Sequence, residues 1–300
     1  MEQLNLTAVT PNISSSPGLL RPPSMDSRGV VPAVVLSLCF LLGLPGGIAV
    51  IILKPNFHQL SSMTQTLMLN LAVSDLVGLL ILPPWIYSLL YGWIFGLVAC
   101  KILKYFMYCC VYGSLLTIVL LSFQRYMLVV HQQFYNQTKM RLLLVLLWLV
   151  ALILSIPGLV VQQLTPNQQW VHCINQFSSR AQKMAMLLAE AIVGFASFFI
   201  VAFSYIQLYR KVKQTPFFNN PQTSRLVTSI IIVFICLWIP YCIADVLTVK
   251  IFKDIQDIAG VLIYINSCLN PILYTFMSKT LKRRGPSGSK QKQIQKREIL

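Results

Sequence analysis

Asp75 sits in the middle of NLAVSDLVGLLILPP, with no second charge anywhere in that run. A carboxylate at membrane depth is expensive and is normally kept for a functional reason, facing partners or water. Ser114, Asn266, Ser267 and Asn270 fall at comparable depths in other apolar runs. Oxygen-bearing side chains converging on one carboxylate suit a small hard cation, here sodium, held at Asp75 together with water. The plainer reading is a protonated Asp75 hydrogen-bonded to its neighbours. A second cluster of chemistry flanks CKILKYFMYCCVYGSLLTIVLLSFQRYMLVV, which begins at Cys100 and has no charge from Phe106 to Phe123. Gln124, Arg125 and Tyr126 lie near its far end. An arginine there must snorkel to the interface or face a wet, paired interior.

These groups need elements that carry them across a bilayer, and the composition supplies them. Of the 300 residues 56% are hydrophobic and 11% charged, where soluble domains carry roughly 25% charged residues. The net charge of +16 would suggest nucleic acid in a soluble protein. Here no nucleic acid is expected, and the charge bears on membrane orientation instead. The eight cysteines form no CxxC pair and no Cys/His ligand spacing, so zinc is not indicated. Phosphate-binding glycine loops, GxSxG and a Ser/His/Asp set are missing too, so the chain does not read as an enzyme.

Seven apolar runs recur, over residues 30–53, 64–89, 100–130, 141–162, 183–212, 222–249 and 256–277. About 20 such residues cross a bilayer core. The expected fold is an all-α membrane protein, a seven-transmembrane helix bundle. Residues 1–29 form a glycosylated extracellular tail, 30–277 the bundle and 278–300 a short basic cytoplasmic tail. Sequons at Asn5 and Asn12 suit an outside N-terminus; a third, at Asn136, should be silent. With that topology, sixteen of the 24 basic residues fall on the inner side, as the positive-inside rule expects. Cys100 then lies at the outer face in an oxidising compartment. Cys173, between the fourth and fifth runs, is its candidate partner. Pro83-Pro84, Pro157, Pro240 and Pro271 interrupt several runs and permit kinks, because each lacks a backbone donor.

Together these features resemble the rhodopsin-like (class A) G-protein-coupled receptors. The resemblance rests on Asn70 to Asp75, Trp93 in Gly-Trp-Ile-Phe-Gly, Cys100 with Cys173, and Gln124-Arg125-Tyr126. It continues through Trp148, Tyr205, Cys236-Leu237-Trp238-Ile239-Pro240 and Asn270-Pro271-Ile272-Leu273-Tyr274. It implies that Arg125 meets a heterotrimeric G protein when span six swings about Pro240, with Tyr126, Tyr205 and Tyr274 as parts of the switch. It implies that Trp238 is the pivot beneath the ligand, and that Asp75, Ser114, Asn266 and Asn270 form an allosteric sodium pocket, no cofactor being required. Within the family, Glu190 to Phe195, Arg225-Leu226-Val227, Trp238 to Tyr241 and the Gln124-Arg125 pair look most like leukotriene B4 receptors. That implies a plasma-membrane chemoattractant receptor for a small acidic lipid, acting through an inhibitory-type G protein. Lys104, Arg180 and Lys183 would hold the ligand carboxylate; Tyr108, Tyr112, Glu190, Trp238 and Tyr241 would line the pocket.

Three positions depart from the family pattern: Gly47 stands where Asn is usual, Gln124 where an acidic residue is usual, and Ser197 near the usual span-five proline. They leave open a non-signalling scavenger or pseudoreceptor, and a peptide chemoattractant receptor is a further alternative because such receptors share much of the subgroup pattern. A retinal-binding pump would need a lysine in span seven, and none lies between Asp257 and Met277. The Lys/Arg-rich tail is expected to touch anionic membrane lipid.

Overall fold

The computed structural model describes residues 29–52, 62–130, 137–166 and 170–214, and positions 232, 236, 261 and 264–270. Its element order is α1 (Val30–Ile52), α2 (Ser62–Leu80), α3 (Leu82–Tyr91), α4 (Gly96–Val130), α5 (Gln137–Val161), β1 (Gln162–Pro166), β2 (Val171–Asn175) and α6 (Arg180–Gln214). Five runs among the described residues are long and apolar enough to cross a membrane. Val261 and residues 264–270, in the seventh apolar run, are helical as well. Their outward faces carry Val31, Leu41, Val145, Ile153 and Phe199 exposed, as lipid-facing surfaces require.

The second apolar run is not one helix. It breaks at Ile81 and restarts with Pro83 and Pro84 in the first turn of α3. Proline is tolerated there because those N–H groups have no intrahelical partner in any case. α3 ends at Gly92, whose N–H caps onto the Ser88 carbonyl with φ +77°. That left-handed conformation is costly for any residue with a Cβ.

α4 is the centre of the packing. α2, α5 and α6 all lie against it, and α1 packs on α2 and α3. Its Leu115, Ile118 and Leu121 form the main core with Leu67 and Leu71 of α2, Met140 and Ala151 of α5, and Val201 of α6. At 35 residues it is about 52 Å long at 1.5 Å per residue, longer than a hydrocarbon core, so it must tilt or project. Gly113 allows a close crossing: a Cβ there would lie 3.2 Å from both Ser74 Oγ and the Trp148 ring. Small residues at such crossings let membrane helices approach. Val261 and Tyr264 pack against the Leu36, Leu79 and Leu82 cluster.

β1 and β2 form an antiparallel hairpin with Leu164 opposite Cys173. No strand was expected from sequence in this bundle. Cys173 is disulfide-bonded to Cys100 in the first turns of α4, Cα atoms 5.9 Å apart. Trp93 packs on this bridge, and its N–H donates to the Val171 carbonyl at 2.7 Å.

Candidate functional site

The deepest polar cluster forms where α2, α4 and the 264–270 helix meet. Asp75 is buried, as are Ser114 and Asn270. Ser114 Oγ donates to Asp75 Oδ1 at 2.9 Å, and Asn270 Nδ2 donates to Asp75 Oδ2 at 2.8 Å. Ser267 lies beside the carboxylate. Ser74 extends the cluster, donating to the Cys110 carbonyl and lying 3.2 Å from Ser114 Oγ. Two carbonyl oxygens, Asn266 Oδ1 and Asn270 Oδ1, are buried without a hydrogen-bond partner among the described residues. A carboxylate, a hydroxyl and spare amide oxygens are a donor set that fits sodium. Gly47 packs against Leu76, the neighbour of Asp75.

A polar tie lies about one helical turn further along. Trp148 Nε1 donates to Asn70 Oδ1 at 2.9 Å, and Asn70 Nδ2 to Thr117 Oγ1 at 2.7 Å. It joins α5, α2 and α4, which keeps the Asp75 cluster in register. Near the far end of α4, Gln124 is buried and its Nε2 donates to Thr64 Oγ1 of α2 at 3.2 Å. Tyr126 meets Phe203 of α6 edge-on, centroids 5.8 Å apart, and Tyr205 is half-buried on the same helix.

Toward the disulfide end, Lys104 lies between two rings. Its Nζ is 5.2 Å from the Trp85 centroid and 5.4 Å from that of Tyr108, within cation–π range. Trp85 was not singled out from sequence. Its Nε1–H is buried with no acceptor among the described residues, so this end of the bundle holds an ammonium over an indole ring and an unsatisfied indole donor. That pair suits an anionic oxygen. Tyr108 stacks over Tyr112, centroids 6.3 Å apart. Both tyrosines and Glu190 line a cavity of about 110 Å³ where α4, α5 and α6 meet. Gly158 makes room for it: a Cβ there would be 2.5 Å from Tyr108 Cδ2. Arg180, exposed at the start of α6, and half-buried Lys183 do not line this cavity.

Trp238, Pro240, Tyr241 and Tyr274 lie outside the described residues, as do Asn5, Asn12 and the side chain of Arg125.

A family model described as "7 transmembrane receptor (rhodopsin family)" matches residues 46–274. Human C-C chemokine receptor type 1 is 28% identical over 82% of this chain and 76% of its own length. Human C-C chemokine receptor type 8 is 28% identical over 93% of this chain and 85% of its own. C-X-C chemokine receptor type 2 of Canis lupus familiaris is 28% identical over 91% and 82%. These relatives correct the narrower resemblance, because they are chemokine receptors and not leukotriene B4 receptors.

Proposed function

Because the chain belongs to the rhodopsin family of seven-transmembrane receptors, we propose that it is a plasma-membrane receptor that reports an extracellular chemoattractant to a heterotrimeric G protein. The match over residues 46–274 carries this reading. The N-terminus lies outside and the basic tail inside. The chemokine receptors among its relatives favour a polypeptide ligand. One observation favours a second reading, a small leukotriene-like acidic lipid. Lys104 stands over the Trp85 ring, whose buried N–H has no acceptor among the described residues, and either donor could meet a ligand carboxylate. Tyr108, Tyr112 and Glu190 lie deeper; in this reading Trp238 and Tyr241 would be further pocket groups, and Arg180 and Lys183 would meet the ligand outside the cavity.

Ligand binding shifts the receptor only as far as it prefers the active arrangement. Asp75, Ser114, Asn266 and Asn270 would hold a sodium ion, whose charge would offset that of the buried carboxylate and favour the resting arrangement. Arg125 then meets the G protein, with Tyr126, Tyr205, Pro240 and Tyr274 completing the switch.

The test is nucleotide exchange in membranes bearing this chain, with separate panels of chemokines and acidic lipids. Exchange driven by one panel identifies the ligand class. Arg125→Glu should keep surface expression and ligand binding while abolishing exchange; intact exchange overturns the role of Arg125. Ligand uptake without exchange would identify a scavenger, a reading that Gln124 in place of an acidic residue favours.

A further inference from the structure

We propose that the seam between α5 and α6 is a bilayer-facing binding site for the hydroxyl head of a single-chain amphiphile dissolved in the membrane, with Glu190 as its acceptor. The proposal rests on the reading of Tyr108, Tyr112 and Glu190 as ligand-facing groups, and adds where their ligand group comes from and what it is.

Four observations carry it. First, α5 and α6 each pack along α4 but scarcely touch one another. The outer faces of both helices are apolar and exposed, with Ile156 and Val160 on α5 and Leu188 and Ile192 on α6. Second, the cavity described above lies where both meet α4, and its rim consists of Ile153, Pro157 and Ala189, all exposed. The two smaller residues leave the opening free. In a membrane that rim faces lipid and not water.

Third, the depth is right for a membrane-dissolved molecule. Tyr108 and Tyr112 follow Cys100 by eight and twelve residues, which is about 12 and 18 Å along the helix. The cavity thus spans the half of the hydrocarbon core nearer the disulfide. Fourth, its contents are mismatched to plain lipid. A carboxylate and two phenols stand behind an apolar doorway, and a carboxylate at that depth is costly without donors. Glu190 has a partner within the protein, yet a carboxylate offers about four lone-pair sites. An incoming hydroxyl adds a donor that an alkane cannot.

The volume limits the ligand. About 110 Å³ is somewhat less than the roughly 150 Å³ cavity that admits benzene in an engineered lysozyme. It holds a hydroxyl and the first few carbons, not a whole lipid. The remaining chain would lie outward along the seam, against α5 and α6.

The full receptor in lipid nanodiscs is labelled with a photoreactive hexadecanol bearing a diazirine beside the hydroxyl, and the modified residues are mapped by mass spectrometry. Label should concentrate on the residues lining the cavity, Met186 and Val193 among them, and be displaced by plain hexadecanol. Ala189→Trp, which fills the doorway, should weaken displacement by about tenfold. Ile153→Trp serves as a second blocking variant should Ala189→Trp fail to reach the surface. A diazirine alkane without the hydroxyl should not label the site. Equal labelling by the alkane, labelling that is even along the outer face of α1, or labelling indifferent to both blocking variants would overturn the proposal. Agonist-driven exchange is measured in the same discs. Exchange that persists while site labelling fails removes the seam and leaves the receptor. Displaceable labelling without exchange supports the seam and counts against the receptor reading.

Discussion

Single side chains decide the shape of the ligand-facing end. Gly158 is in contact with the Tyr108 ring, with no space for a methyl group. Gly158→Ala should cost about 1–3 kcal/mol through overpacking, read as a lower melting temperature of the purified receptor, and should shift agonist potency by moving that ring. Trp85→Phe keeps the ring over Lys104 but deletes the indole donor. If a ligand carboxylate accepts from it, potency should fall about fivefold, the equivalent of roughly 1 kcal/mol; unchanged potency would place the acidic group elsewhere. Asp75→Asn should remove any sodium dependence of agonist affinity, measured by radioligand binding across sodium concentrations. Asp75 was legible in the sequence because the cost of a charge in lipid is a local property. Gly158 and Trp85 were not, since no spacing along the chain reports that two distant helices touch at those points.

Helices and strands add a second level of control. The first five apolar runs match described helices to within a few residues, because burial in lipid requires only length and composition. The break at Ile81 went unread even though Pro83-Pro84 was noticed; a kink and a restart look alike until the capping groups are seen. The hairpin was unreadable for another reason. Gln162–Pro166 is QQLTP, with no apolar alternation, and its pairing is held by the disulfide and Trp93. That bridge closes a span of 73 residues, worth about 4 kcal/mol in the chain-entropy account. Cys173→Ser should therefore sharply reduce surface receptor, measured by flow cytometry on intact cells. At the opposite end the Thr64–Gln124 bond ties α2 to α4. Thr64→Val should raise basal nucleotide exchange by about fivefold if that bond, worth about 1 kcal/mol, holds the resting arrangement. A lower basal rate would reverse the assignment.

For the molecule as a whole, orientation has the simplest test. Epitope tags at the two ends should be reached from opposite sides, the N-terminal one on intact cells and the C-terminal one only after permeabilisation. The arrangement around α4 has a consequence for how the receptor tolerates change. A post clasped by α2, α5 and α6 has few sides on which a bulkier or polar residue goes unnoticed, whereas α1 and α5 each show a broad flank to lipid. Saturation mutagenesis scored by surface abundance should therefore draw α4 as an unbroken band of intolerance over its inner turns. On α1 and α5 the same map should be striped once per turn. Natural variation would be expected to collect in those stripes, leaving the axle that carries Ser114 and Arg125 nearly fixed.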